Sequence, residues 1–285
     1  MTDFTKIGPS VLSALLPRPS DSHKGTFGTL TMLCGSDLMP GAARLAADAA
    51  LRSGVGLLRI ACPAAVRQVL QAALAEPVWL EPESVSENLG TAFLAGCGLG
   101  PESFGLLASV LPKIKCPAVY DAGALRFFAS NPEFLRRLSG PAVLTPHPGE
   151  FSALTGLSVG EIQSSREQIA SSFAKDFGCT VVLKGKGTVV ALPDGSVSVN
   201  TTGSSALAKG GSGDVLAGVI ASLLAQGHSC GDSARIGVYV HGLAGDNLEK
   251  RIGDRAVLPR DLPAEIGSLL RSPPRAGSVA STILA

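Results

Sequence analysis

The sequence predicts an α/β fold: a mostly parallel central sheet with helices on both faces. Three observations carry this. Short apolar, β-rich runs alternate with longer segments of helical spacing, glycine or proline marks most of the switches, and no repeat or Pro/Gly/Ser-rich linker interrupts residues 25–270. Strands buried on both faces read as continuous apolar runs, and the helices between them supply the crossovers that parallel pairing requires.

Taken in order, "FGTLTMLCG" (27–35) reads as a strand closed by a glycine turn, and "GAARLAADAALRSG" (41–54) as a helix with a glycine stop. "GLLRIAC" (56–62) returns to strand. "PAAVRQVLQAAL" (63–74) is a helix with proline in its first turn, where the missing N–H has no partner to lose. Strand and helix then alternate through "TAFLAG" (91–96), "FGLLASVLPKI" (104–114), "PAVYDAG" (117–123), "PEFLRRL" (132–138) and "AVLT" (142–145). "VGEIQSSREQIASSFAKDFG" (159–178) reads as one long helix. The rhythm then changes: "TVVLKG", "TVVALP" and "SVSVN" are separated by Gly-Lys-Gly and Asp-Gly turns, which predicts a local antiparallel or mixed edge. Two helices follow, over 213–227 and 232–250. Residues 1–270 are expected to form one domain. "RSPPRAGSVASTILA" (271–285), with little periodicity, is expected to be a loosely held tail.

Composition excludes several classes of function. Of 285 residues 45% are apolar and 16% charged, so a large core is available and whole-chain disorder is ruled out. A net charge of +1, with no Lys/Arg run longer than two, gives no electrostatic footprint for nucleic acid or an anionic membrane. Cys34, Cys62, Cys97, Cys116, Cys179 and Cys230 form no Cys-x-x-Cys pair and have no histidine at zinc spacing. They read as small buried hydrophobes of a reducing compartment. The N-terminus lacks the basic and long apolar regions of a secretory signal, and no stretch reaches the roughly 18 apolar residues of a membrane span. The cytoplasm is the expected place.

The chemistry is concentrated in "ALAKGGSGDVLAGVIASLLAQG" (206–227). A turn made of Gly210, Gly211, Ser212 and Gly213 lets backbone N–H groups converge without interference from Cβ atoms. At the start of a helix it adds the unpaired donors and the positive end of the dipole, which makes an anion site. A carboxylate at that point, Asp214, would repel an anion, so it needs a reason. A general base beside a transferring phosphoryl group supplies one; a plain helix cap is the alternative. No Walker motif occurs, "GVGLL" (54–58) opens a strand, and "GCGLG" (96–100) lacks the full dinucleotide spacing.

Gly-x-Gly-Asp leading into an apolar helix resembles the anion hole and base of the ribokinase-like superfamily, which implies a three-layer sandwich. A sharper resemblance rests on "SHKGTFG" (22–28), "GSDLMPGAARLAADAALRSGVGLL" (35–58), "GCGLG" (96–100), "LTPHPGEFSALTG" (144–156), "VVLKGKGTVVA" (181–191) and "NTTGSSALAKGGSGDVLAGVIASLLAQG" (200–227). In this order they resemble the ADP-dependent (S)-NAD(P)H-hydrate dehydratases, over residues 15–250 or so. The resemblance implies repair of hydrated NADH or NADPH (NADHX, NADPHX). ADP phosphorylates the ring hydroxyl and leaves as AMP, and the ring nitrogen then expels phosphate.

The same resemblance implies roles for individual residues. Asp214 is the base; Gly211, Ser212 and Gly213 form the anion hole. Lys184, Gly185, Lys186, Gly187 and Thr188, with Gly213, contact the nucleotide, and Ala42, Gly98, Gly100, His147 and Asp214 contact the hydrate. Mg²⁺ is implied with the ADP phosphates, without a dedicated protein cage. A homo-oligomer, in the form of a tetramer, and a separate NAD(P)HX epimerase as metabolic partner are also implied, since too few residues precede position 25 for an epimerase domain. Read from the residues alone, His147 is equally a loop residue, Lys184 a solvated charge, Gly98 and Gly100 turn glycines, and Ala42 core packing. Departures from the family pattern fall at Cys34-Gly35-Ser36, Met39, Arg126 and Ser204-Ser205. A small-molecule kinase of the same superfamily (hydroxymethylpyrimidine or thiazole kinase type) and a catalytically silent nucleotide-binding regulator are the competing readings.

Overall fold

Ten strands pair into one sheet in the computed structural model, which describes residues 4–271. They are β1 (Thr5–Ile7), β2 (Thr29–Leu33), β3 (Leu57–Ala61), β4 (Val78–Leu80), β5 (Ala92–Ala95), β6 (Ala118–Tyr120), β7 (Ala142–Leu144), β8 (Thr180–Leu183), β9 (Val189–Ala191) and β10 (Val197–Asn200). The order across the sheet is β1-β10-β9-β8-β7-β6-β5-β2-β3-β4, and β9 alone runs against its neighbours. The mixed edge expected from the turn residues is present. The connections on either side of β9 are too short for a crossover, so the chain can only fold back as hairpins.

The helices are α1 (Pro40–Arg52), α2 (Ala64–Gln71), α3 (Phe104–Val110), α4 (Ala122–Ser130), α5 (Pro132–Arg136), α6 (Pro148–Thr155), α7 (Val159–Ser164), α8 (Arg166–Phe177), α9 (Ser212–Ala225), α10 (Cys230–Ile252) and α11 (Leu262–Leu269). Alternate strand residues divide between two cores. Leu94, Val119, Val143 and Val182 face α1, α2, α9, α10 and α11, whereas Phe93, Tyr120, Leu144 and Leu183 face α3 to α8. This is the three-layer α/β sandwich the sequence predicts. The unbroken apolarity of α9 follows from its place between the sheet, α1 and α10. Its crossing with α1 is close enough that a Cβ on Gly218 would lie 2.1 Å from the Ala46 carbonyl oxygen, so only glycine fits.

Three expectations change. Residues 159–178 form two helices, because the chain breaks at Ser165 (φ −149°, ψ 46°). The break turns Arg166 inward, where its Nη2 donates to the carbonyls of Leu183 (2.8 Å) and Lys184 (3.3 Å) at the end of β8. The strand expected over 117–123 stops at Tyr120, and α4 begins at once. The edge strands β1 and β4 and the helices α6 and α11 were not expected. The proposed tail beyond Arg271 lies outside the described residues. All six cysteines are free, four of them buried and Cys116 and Cys230 half-buried.

Candidate active site

In a parallel sheet the turns at the carboxyl ends of neighbouring strands converge. Here Asp121 follows β6, His147 follows β7, Lys184 follows β8 and Asn200 closes β10. With the loop before α9 they enclose a cavity of about 1100 Å³. The cavity brings together His147, Lys184, Gly185, Lys186, Thr188, Gly211, Ser212, Gly213 and Asp214 from the sequence expectations. Gly187 stays out of its wall and acts on the backbone: with Gly185 (φ +144°) it supplies a positive φ (+66°) that closes the β8–β9 hairpin.

The anion-hole geometry is more selective than the sequence suggested. Gly211 caps α9 in a left-handed conformation (φ +102°). The Ser212 N–H, expected among the anion donors, is bent back onto the Lys209 carbonyl at 3.2 Å, because the glycine turn closes on itself there. The N–H groups of Gly211, Gly213 and Asp214 have no hydrogen-bond partner among the described residues, and they are the free donors at the positive end of the helix. Lys209 does not face the anion site. Its Nζ donates to the carbonyls of Arg255 (2.6 Å) and Val257 and so ties the loop to the segment after α10.

Asp214 sits in a cluster of opposed charges. One oxygen of its carboxylate, one of Asp121 and the Cys97 sulfur all lie within 4.8 Å of one another. Burial first, and then repulsion from Asp121, push the Asp214 carboxyl up to about 6, against the Cys97 hydrogen bond and the Lys184 charge. Contact with Cys34 and burial raise the Cys97 thiol well above its ordinary value, so it remains an S–H donor to Asp214. Lys184 Nζ lies 2.7 Å from Asp121 Oδ1 and 3.7 Å from Glu150 Oε2. Burial by itself would lower this ammonium, but Asp121 and then Glu150 raise it, so it stays charged. Thr145 Oγ1 donates to the same Asp121 oxygen at 2.8 Å. Just past Asp121, Ala122 holds a positive φ of 42°, a strained position for a residue with a Cβ, and it too lines the cavity.

His147 has a local task as well as a place in the cavity. Its Nδ1 accepts from the N–H groups of Gly149 (3.0 Å) and Glu150 (3.3 Å), and Glu150 Oε2 accepts from the His147 N–H (2.8 Å). This reciprocal cap starts α6 and leaves Nε2 3.6 Å from Glu150 Oε1. The remaining expected residues, Ala42, Gly98 and Gly100, are not brought into this cavity wall. Gly98 (φ +68°) instead abuts the start of α1, where an added Cβ would lie 2.6 Å from the Met39 carbonyl oxygen and 2.9 Å from the Ala42 Cβ. Of the departures from the family pattern, Met39 at the start of α1 is 38% exposed, and Arg126 Nη2 donates to the Leu99 carbonyl at 3.3 Å. Ser204 lines the first cavity and accepts from the Ala206 N–H at 3.3 Å.

Sequence reasoning missed Asp121, Thr145, Glu150, Cys97 and His241. Glu150, three residues after His147, was recoverable as a capping-box signal; the others carry no local mark. No set of side chains among the described residues is a magnesium cage. The Cys97–Asp121–Asp214 group contains a protonated thiol, which is no ligand for a hard cation. The hard oxygen donors that suit a magnesium ion carried by phosphates are the carboxylates of Asp121 and Glu150. No helix among the described residues is long and apolar enough to cross a membrane.

Comparison with known proteins gives a consistent result. Residues 30–267 match the family model described as NAD(P)H-hydrate dehydratase. The chain is 39% identical over 240 residues to the ADP-dependent (S)-NAD(P)H-hydrate dehydratase of Bacillus subtilis, covering 81% of this chain and 85% of that one. It spans about half the length of the bifunctional NAD(P)H-hydrate repair enzymes among its curated relatives. A crystal structure of the ADP/ATP-dependent NAD(P)H-hydrate dehydratase of Bacillus subtilis, co-crystallised with ATP and Mg²⁺, superposes with a TM-score of 0.86 at 34% identity, covering 94% of this chain and 98% of the other. A ribokinase-like superfamily protein of Enterococcus faecalis superposes with a TM-score of 0.85 at 28% identity, covering 95% and 96%.

Proposed function

The chain belongs to the NAD(P)H-hydrate dehydratase family, and on that premise we propose that it dehydrates (S)-NAD(P)H hydrate to NAD(P)H at the expense of ADP, releasing AMP and phosphate. The observation that carries this reading is Asp214 itself, a carboxyl raised to about 6 and set beside three free amide donors. A base with that value is ionised at neutral pH and still close enough to it to hold a proton in transit.

Asp214 takes the proton of the ring hydroxyl as its oxygen attacks the terminal phosphorus of ADP. The bond from that phosphorus to the bridging oxygen breaks, and AMP departs. The amides of Gly211, Gly213 and Asp214 stabilise the transferring group, where each preorganised donor contributes on the order of 10²-fold in rate. Lys184, held between Asp121 and Glu150, supplies a positive charge next to Gly213. Magnesium on the ADP phosphates would neutralise further charge, with Asp121 and Glu150 as the carboxylates suited to hold it. The phosphorylated hydrate then collapses: the ring-nitrogen lone pair expels phosphate, and loss of a proton from the adjacent carbon restores the dihydronicotinamide. Hydroxide would be a far poorer leaving group, which is why a nucleotide is consumed.

The 184–188 hairpin is read as the nucleotide wing, and Ala42, Gly98, Gly100 and His147 as the hydrate wing. A separate epimerase would interconvert the hydrate epimers for this chain. A homo-oligomer, with a tetramer as the size to test by light scattering, and a cytoplasmic setting complete the reading. The deciding experiment incubates the protein with a mixture of hydrated NADH epimers, Mg²⁺ and ADP. Return of reduced-nicotinamide absorbance with one AMP and one phosphate per turnover is expected. A stable phosphorylated alcohol without regained absorbance would make the protein a kinase. Nucleotide binding without turnover would make it a regulator.

A further inference from the structure

We propose that His241 is a positioning residue of the anion hole: its Nε2–H, held on the Ser212 carbonyl, sets the direction of the Gly213 N–H that meets the transferring phosphoryl group. The inference deepens the phosphoryl-transfer reading above and rests on it.

His241 projects from α10 into the floor of the cavity, 8% exposed, with Nε2 3.0 Å from the Ser212 carbonyl oxygen. A carbonyl only accepts, so that nitrogen carries the proton. The Ser212 C=O and the Gly213 N–H belong to one planar trans peptide and therefore point in opposite directions. Anchoring the carbonyl from behind the turn fixes where the N–H points in front of it. Gly213 faces Lys184, since a Cβ added there would lie 3.2 Å from Nζ. The carbonyl has a second lone pair for the helix ladder, and two donors on it polarise the peptide and strengthen its N–H as a donor. The first turn of a helix is also where the ladder restrains N–H groups least, so a lateral tether has the most effect there.

The tether is itself rigid. Asn200 Nδ2 donates to the Val238 carbonyl at 3.0 Å and Thr202 Oγ1 to the Tyr239 carbonyl at 2.9 Å, which locks α10 to the end of β10 one turn before His241. Burial, and to a smaller degree the Lys184 charge, push the imidazole down to about 4. It remains a neutral donor throughout the range in which Asp214 titrates.

The test compares wild type with His241→Gln, whose amide nitrogen can take the place of Nε2, and His241→Leu, which fills the space without a donor. Turnover is read together with calorimetric binding of AMP alone and of AMP with aluminium fluoride, a mimic of the group in transfer. A misaimed donor should cost about tenfold or more, because losing one such donor outright costs 10²–10³-fold. In His241→Leu, kcat and affinity for the fluoride mimic should fall by that factor, while hydrate KM and AMP affinity hold. His241→Gln should recover most of both. A folded Leu variant with wild-type kcat and wild-type mimic affinity overturns the proposal, as does a Gln variant no better than Leu. If the Leu variant does not fold, His241→Asn, whose shorter amide stops short of the carbonyl, takes its place with the same expected losses. Should wild type fail to turn over the hydrate, the dehydration reading falls, and the mimic-binding comparison still decides the role of His241.

Discussion

Replacing Asp214 with asparagine should make the protein at once less active and more stable. Asparagine keeps the size of the side chain and accepts a hydrogen bond from Cys97, but it cannot take a proton. Positioned bases contribute roughly 10²–10⁴-fold, and kcat should fall by that order. ADP affinity should hold or rise, since repulsion between the carboxylate and the phosphates is gone. The stability gain follows from the raised carboxyl, displaced from 3.8 to about 6. The folded protein binds that proton more tightly than the unfolded chain does, so ionising Asp214 costs folded stability. The cost is absent below pH 3.8, grows as pH rises to about 6, and is fully present above it. Allowing for partial exposure, its size is on the order of 2 kcal/mol. The asparagine variant should therefore melt roughly 5 °C higher than wild type at pH 7.5, with the difference closing towards pH 4. A helix cap predicts neither effect, because Asn caps about as well as Asp. Thermal melts at several pH values and turnover on one preparation decide it. Wild-type turnover with an unchanged melting curve would refute both the base and its buried, repelled environment.

Three further outcomes follow from the same geometry. The rate under limiting substrate should decline tenfold per pH unit below about 6 as Asp214 protonates, and Asp121→Asn should move that limb to lower pH by removing the like charge beside it; an unmoved limb in the pH–rate profile would separate the two carboxylates. Gly213→Val should abolish tight ADP binding measured by calorimetry, because Gly213 has an ordinary helical φ and the new side chain meets the Lys184 ammonium, not a backbone barrier. His147→Ala should raise the hydrate KM more than it lowers kcat and should cost about 1 kcal/mol of stability through the lost cap, whereas His147→Asn should recover the stability in a melt but not the KM.

What depends on neighbours along the chain was legible before folding. The alternation of strands and helices, the antiparallel edge at the 184–188 turn, the anion turn at Gly211 to Gly213 and the placing of Asp214 in the first turn of α9 all rest on local periodicity and on backbone conformations that glycine permits. The edge strands β1 and β4 escaped, because β1 exists through pairing with β10 almost two hundred residues away, and β4 through pairing with β3. Helix α6 escaped because its start is a His-Pro-Gly-Glu cap and not an apolar stripe. Tertiary structure alone decided how the site works. Lys184 and Asp121 are 63 positions apart, and His241 and Ser212 are 29 apart. Nothing in either segment names its partner, because the sheet order brings the ends of β6 and β8 together and the packing of α10 against α9 sets the histidine behind the turn. The raised carboxyl of Asp214 belongs to the same class, since burial and a like charge from another strand are properties of the folded interior and of no segment within it.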